Sequence, residues 1–253
     1  MNTRYIIFVI FSLLVFTTHA QNTEMVKVEK GEYVPLYGRD SSKIKVASFL
    51  LDTVPVTKTD FLKFISNNPK WQKKNIKGIF ADKHYLKDWK NKLYSGEANQ
   101  PVTNISWFAA KAYCECQDKR LPTLDEWEYA AMADKTKADA RKKKDYNQFI
   151  LDWYERPKKS SQIVGSTFKN YWGVYDLHGL VWEWTADFNS VLISSESRNG
   201  GKNNNLFCSA AAVGATDLMN YAAFMRYAFR SSLKGNYNIN NLGFRCAKDL
   251  KKK

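Results

Sequence analysis

Apolar periodicity in this sequence is confined to short stretches, and this limits the possible fold more than any other feature. The clearest helical pattern runs from Ile105 to Cys116, where apolar side chains recur at three- and four-residue spacing. The alternation typical of strands covers only parts of Val26 to Lys45 and of Ala47 to Val56. Since no repeat and no second core pattern follows, we predict a single compact α+β domain with short helices, short antiparallel strands and many loops.

Capping signals predict two more short helices. Thr57 or Thr59 can cap a helix that ends before Pro69. Thr123 and Glu126 have the spacing of a capping box, so their predicted role is structural rather than catalytic. Two long segments lack a clear period and are predicted as loops or insertions: Trp71 to Gln100 and Met132 to Phe168.

The first twenty residues have the features of an export signal. Arg4 precedes an apolar run from Tyr5 to Phe16, and Thr18-His19-Ala20 offers a cleavage site. The run is shorter than the roughly 20 residues that span a bilayer, and no cysteine follows it for lipid attachment. We therefore predict a signal peptide at 1–20 and a domain at 21–253 that is periplasmic or secreted and not transmembrane. An uncleaved anchor is the alternative.

The chain is strongly basic. It has 39 basic and 25 acidic residues, and removal of Arg4 with the signal leaves 38 − 25 = +13. Because nucleic acid is not an expected partner outside the cytoplasm, the charge favours acidic protein, acidic polysaccharide or anionic lipid surfaces. The alternative is a solvated lysine-rich surface, of which Lys251-Lys252-Lys253 is an example.

Four cysteines, Cys114, Cys116, Cys208 and Cys246, are the candidate disulfide or reactive residues. Export permits disulfides, but composition alone does not say which cysteines pair. Cys114 and Cys116 lack the two-residue spacer of redox and zinc-ribbon motifs. Only two histidines would remain after signal removal, which excludes a centre of three histidines within one mature chain.

Several charged or polar residues lie among aromatic side chains. Glu183 stands between Trp182 and Trp184, and a buried carboxylate there must be hydrogen-bonded, ion-paired or metal-bound. His178, in a turn, is predicted to be a hydrogen-bonding residue rather than a ligand or a base. Three arginines have aromatic neighbours, and stacking or buried pairing explains them as well as anion binding does: Arg226, Arg230 and Arg245.

Five segments, in order, resemble the signature blocks of the formylglycine-generating enzyme and sulfatase-modifying factor family. They are VASFLLDTVPVTKTDF, PVTNISWFAAKAYC, RLPTLDEWEYAA, GVYDLHGLVWEW and NLGFRC, and together they span about Met25 to Lys248. The resemblance implies one compact, loop-rich domain related to C-type lectins. It also implies a disulfide between Cys114 and Cys246, which the chain-entropy relation values at about 4 to 5 kcal/mol.

The catalytic members of this family bind copper through two cysteines five positions apart. An ungapped match on Arg230-Ser231 places these positions at Asp217 and Ala222. Because Cu(I) requires soft thiolate ligands, copper is not expected here. Cys208 remains as a candidate thiol: it could bind metal together with Cys116, or the two could form a second disulfide.

The resemblance also implies structural calcium. Glu183 matches one ligand position, and Asn147 with Gln148 loosely resembles another calcium segment. Leu180 stands where relatives usually have asparagine, which departs from the pattern. The alternative role for Glu183 is acceptance of hydrogen bonds from buried backbone donors.

Three functions follow as hypotheses. The leading one is a non-oxidase binding or maturation factor that holds another exported protein. The second is a divergent metal-dependent oxidase that uses Cys208, either with Cys116 or with ligands other than thiols. The third is a glycan-binding module that uses the aromatic residues between Trp71 and Trp89.

Overall fold

The computed structural model describes residues 24–36, 42–87, 89, 98–155, 162–189 and 218–251. The predicted signal peptide, Cys208 and Asp217 lie outside these residues. Within them, five α-helices and several small sheets form a mixed structure, which confirms the predicted combination of short helices and short strands. No helix in the described ranges is both long and apolar enough to cross a bilayer.

A three-stranded antiparallel sheet joins the beginning of the described chain to its end. The strands are β1 (Met25–Val28), β2 (Gly31–Tyr33), β3 (Ile44–Val46), β4 (Phe49–Asp52), β5 (Trp182–Glu183), β6 (Leu242–Gly243) and β7 (Ala247–Asp249). The order of the three-stranded sheet is β1-β4-β7, with Val26 opposite Leu51 and Phe49 opposite Asp249. Two smaller pairs complete the strands: β2 and β3 are antiparallel, whereas β5 and β6 are parallel.

Side-chain caps begin three of the helices. Thr57 caps the first helix, Ser106 caps the second, and Thr123 with Glu126 forms the predicted capping box of the third. The helices are α1 (Lys58–Asn67), α2 (Trp107–Cys116), α3 (Leu124–Ala131), α4 (Lys144–Glu155) and α5 (Leu218–Ser231), with a short 3₁₀ helix at Pro69–Trp71.

Helix α4 corrects the sequence prediction for Met132 to Phe168. That segment was predicted as loops or insertions, yet residues 144–155 are helical. The reason is visible in Tyr146, Phe149, Ile150 and Trp153, which recur at helical spacing behind a lysine-rich stretch. Tyr146 and Ile150 are buried, and α4 contacts α5.

The disulfide implied by the resemblance is present between Cys114 and Cys246. It joins α2 to the residue before β7, with the two Cα atoms 5.6 Å apart and both cysteines fully buried. Tyr113, which precedes Cys114, and Phe244, two residues before Cys246, contact each other edge to face with ring centroids 5.3 Å apart. The bond therefore closes the chain around its main hydrophobic core.

Candidate functional site

The position that corresponds to a copper-binding cysteine is an apolar helix contact. Ala222 lies on α5, is fully buried, and belongs to a cluster with Tyr146, Ile150 and Leu151 of α4. Asp217, the other corresponding position, lies outside the described residues. Because a methyl group cannot ligate a metal, Ala222 does not fit Cu(I).

A buried ion cluster lies one and two turns along α5 from Ala222. We call it the Glu128 cluster, and it consists of Glu128 on α3 with Arg226 and Arg230 on α5. The Arg226 guanidinium donates to both carboxylate oxygens, from Nε at 2.9 and 3.1 Å and from Nη2 at 2.7 Å. Arg230 Nη1 donates to Glu128 Oε1 at 2.7 Å. The cluster therefore fixes α5 against α3.

The Glu128 cluster has one negative and two positive side chains. Burial by itself would raise the pKa of Glu128, but Arg226 and Arg230 outweigh it and lower that pKa to about 2. Arg230 Nε is buried and has no hydrogen-bond partner. The Arg230 guanidinium lies 4.6 Å from the centre of the Trp127 ring, so cation–π attraction replaces part of its lost hydration.

A small cavity with a mixed polar and apolar lining opens beside the Glu128 cluster. Its walls include Glu128, Arg226, Arg141, Tyr33 and Tyr227. The enclosed space holds about one water molecule. It is too small for an organic substrate, so any partner group must meet this site from its rim.

His178 lies near the same cluster and is uncharged. Its Nε2 lies 2.9 Å from the carbonyl oxygen of Ala131, and its ring contacts those of Trp127 and Tyr146 edge to face. Burial and the positive charge of Arg226 lower the pKa of His178 to about 3. Burial and this low pKa leave His178 unsuited to act as a general base.

Glu183 belongs to a second buried ion pair, which we call the Glu183 pair. Arg245 Nε lies 3.0 and 2.8 Å from the two oxygens of Glu183, and Arg245 Nη2 lies 2.8 Å from Oε1. Trp127 Nε1 donates to Oε2 at 2.8 Å. Further Arg245 donors reach the carbonyl oxygens of Asp52 and Tyr175, so the guanidinium is surrounded by acceptors.

The contacts of Glu183 disfavour a calcium ion at this residue. Both oxygens of Glu183 are occupied by side-chain donors, and a dication beside Arg245 would face a like charge. Asn147 is different: its amide nitrogen donates to the Arg141 carbonyl, while its buried Oδ1 has no partner. In the described ranges no group of three or more His, Cys, Asp or Glu side chains could hold a metal. Calcium remains a prediction, for which Asn147 retains a free ligand atom.

The remaining thiol candidates are Cys116, which lies apart from these clusters, and Cys208. Cys116 is exposed at the end of α2, where its sulfur lies 3.9 Å from Asn68 Nδ2. Cys208 falls outside the described residues, so the proposed pairing with Cys116 also remains a prediction.

Sequence reasoning did not identify Glu128, although a signal was present. Leu124, Trp127, Glu128 and Ala131 share the spacing of one helix face, and a carboxylate among apolar residues on such a face requires a buried partner. A second missed pair is Lys119 with Asp52, whose side chains are buried and lie 2.7 Å apart.

Comparisons with known proteins agree with the resemblance in the sequence. The family described as "Sulfatase-modifying factor enzyme 1-like domain" matches residues 12–250. Mouse formylglycine-generating enzyme is 30% identical over 167 residues, which cover 60% of this chain and 45% of that protein. The mouse protein named inactive C-alpha-formylglycine-generating enzyme 2 is 26% identical over 283 residues, which cover 90% of this chain and 87% of that protein.

Two further matches differ in extent. Serine/threonine-protein kinase pkn1 of Chlamydia pneumoniae is 29% identical over 194 residues, covering 66% of this chain and 28% of that protein. The chain thus spans less than half of pkn1 and of mouse formylglycine-generating enzyme. A solved structure, "Crystal Structure of CarF", is 17% identical, covers 91% of this chain and 99% of that one, and has a TM-score of 0.51. It supports the fold alone.

Proposed function

This chain belongs to the family of sulfatase-modifying factor domains, and we propose that it is an exported member that lacks the copper oxidase chemistry and serves as a binding or maturation factor for another exported protein. Under this proposal, the chain keeps the scaffold of the family but lacks its thiol chemistry.

The observation that carries the proposal is Ala222. In the family, this position contributes one of two thiolates that hold Cu(I). Here it is a fully buried methyl group packed against α4, which offers no sulfur atom to a metal. The mouse protein named inactive C-alpha-formylglycine-generating enzyme 2 aligns with 90% of this chain. This resemblance supports the same interpretation.

Export is supported by two independent features. The first twenty residues have the pattern of a signal peptide. The fully buried disulfide between Cys114 and Cys246 is of the kind that forms in oxidising compartments outside the cytoplasm.

A candidate contact for the partner lies at the start of α5. Tyr221 is exposed immediately before the buried Ala222, and exposed tyrosines are frequent anchors of protein interfaces. The Glu128 cluster holds this helix in place through α3, which keeps the exposed residue in a fixed position.

The test combines partner capture with an oxidase assay. Tagged mature protein is crosslinked in the exported fraction of its own cells, and bound proteins are identified by mass spectrometry. We expect one exported protein to be enriched by wild type, lost with Tyr221→Ala and retained with the control Tyr171→Ala, which changes an exposed tyrosine on another part of the surface. If wild type, Tyr221→Ala and Tyr171→Ala all recovered the same background proteins in equal amounts, a binding role would be contradicted.

In the oxidase assay, a cysteine-containing sulfatase peptide is incubated with the mature protein, Cu(I) and oxygen. No aldehyde is expected. Aldehyde formation that disappears in Cys208→Ser would instead establish the divergent oxidase. The double variant Asp217→Cys with Ala222→Cys introduces a thiol at both positions and serves as the positive control for metal binding.

A further inference from the structure

The most exposed large apolar side chain of the described residues is part of a lysine-rich loop. Ile79 is 69% exposed and its neighbour Phe80 is 36% exposed. A side chain added at Gly78 would meet nothing within 4 Å, so the turn formed by residues 77–80 projects into solvent. We call this turn the Ile79 tip.

The tip is held by a rigid base. Phe80 N donates to the Lys77 carbonyl at 2.9 Å, which closes the turn. The Phe80 ring contacts Trp71 and Phe108 edge to face, with centroids 5.9 and 5.4 Å apart. Tyr85 Oη donates to the Trp71 carbonyl at 2.9 Å and ties the two sides of the loop together. Ile79 is therefore presented outward by a preformed structure.

The charge along this loop has one sign. Between Pro69 and Lys87, Asp82 is the one acidic residue, and its Oδ1 accepts hydrogen bonds from Asn238 and from the His84 backbone. No ion pair joins the lysines flanking the tip to a carboxylate in the part of the chain that is described. These lysines, all exposed, are Lys70, Lys73, Lys74, Lys77 and Lys83.

We infer that the Ile79 tip docks this protein on an anionic phospholipid surface. An exposed apolar residue enters the interface between headgroups and acyl chains, while the surrounding lysines contact phosphate groups. An acidic polysaccharide would use the lysines but would gain little from Ile79, so the apolar tip favours lipid. This docking is independent of any activity at α5.

The same geometry weakens the glycan-binding hypothesis for this segment. Trp71 is buried, and Trp89 contacts Phe61 edge to face within the main core. These rings are therefore used for packing and do not form an open platform for a sugar.

Sedimentation with sucrose-loaded vesicles tests the inference. The mature chain is mixed with vesicles of phosphatidylcholine alone, and with vesicles in which about a quarter of the lipid is phosphatidylglycerol. We expect binding to the anionic vesicles only, weakening as salt is raised. Ile79→Ser with Phe80→Ser should lower the partition coefficient roughly tenfold or more. Lys74→Gln with Lys77→Gln should lower it on the order of tenfold.

Matched controls change other exposed residues elsewhere on the surface. Ile163→Ser removes another exposed isoleucine, and Lys135→Gln with Lys142→Gln removes two other exposed lysines. Both controls should bind as wild type does, and circular dichroism should show that every variant is folded.

Two results would overturn the inference. One is the absence of any preference for anionic over neutral vesicles. The other is binding that falls in the lysine variant but not in the Ile79 and Phe80 variant, and that soluble dextran sulfate abolishes. That second pattern would assign the loop to acidic polysaccharide instead.

Discussion

The two buried ion clusters differ in how completely their charges are matched. The Glu183 pair has one carboxylate and one guanidinium, and Arg245 is surrounded by acceptors. The Glu128 cluster has two guanidiniums for one carboxylate, and Arg230 Nε has no partner. Trp127 connects them, since its Nε1 donates to Glu183 while its ring lies against Arg230.

The two clusters also anchor different parts of the fold. The Glu183 pair links β5 to the segment before β7, beside the disulfide, and it is neutral and closed to solvent. The Glu128 cluster anchors α5, the helix that carries the buried Ala222. Through this cluster α5 is attached to α3 by buried polar contacts.

The largest expected effect concerns the disulfide beside the Glu183 pair. Replacing Cys114 and Cys246 by alanine should lower the free energy of unfolding by about 4 to 5 kcal/mol, because the unfolded chain is no longer closed across 132 residues. Urea unfolding of wild type and of the double variant measures this. Reduction of wild type with dithiothreitol should reproduce the loss, and no change in either experiment would show that the bond is absent in solution.

Breaking the Glu183 pair is expected to cost about 3 to 5 kcal/mol. Arg245→Met leaves the Glu183 carboxyl group fully buried and without its cation. Thermal and urea unfolding provide the measurement. The double variant Glu183→Met with Arg245→Met should be more stable than Arg245→Met alone, since it leaves no uncompensated charge; if it is less stable, the pair is not an isolated unit.

The pH dependence of stability tests the electrostatics of the Glu128 cluster. The pKa of Glu128 is about 2 in the folded protein, below its ordinary value of 4.5, so the folded state binds this proton more weakly than the unfolded state. Its contribution of about 3 kcal/mol is fully present above about pH 4.5 and is lost as pH falls toward 2. In Arg230→Met, the pKa of Glu128 should rise and part of this dependence should disappear. An unchanged profile would contradict the assignment.

The smallest expected effect is that of Arg230→Met at neutral pH, about 1 to 2 kcal/mol. Glu128 keeps its hydrogen bonds from Arg226, and methionine still covers Trp127. Comparison with Arg245→Met in the same urea titration contrasts the two clusters directly. If the two single variants lost equal stability, the excess positive charge of the Glu128 cluster would have no energetic consequence.

The sequence predicted those parts of the fold that depend on local signals. Thr57 and the pair Thr123 and Glu126 begin helices because capping is a contact over three residues. Helix α4 was missed because its apolar spacing follows a charged stretch that resembles a loop. The disulfide was implied by family resemblance and not by the residues themselves.

The candidate site was predicted less well, because its contacts are distant in sequence. Glu128 is 98 residues from Arg226 and 102 from Arg230, and Glu183 is 62 from Arg245. Local patterns indicated that these groups needed partners, but they did not say which. Ala222, by contrast, was singled out by the ungapped match to the family, and the structure adds that this residue packs against α4.

The central claim is that this scaffold does not bind copper through thiolates, and the most direct measurement is an anaerobic Cu(I) titration, against a competing chelator, of mature protein whose Cys114–Cys246 disulfide is intact. The account predicts that wild type takes no copper from the chelator, whereas Asp217→Cys with Ala222→Cys gains a Cu(I) site. Stoichiometric Cu(I) retained by wild type and lost in Cys208→Ser would contradict it, because Cys208 would then supply the missing sulfur ligand.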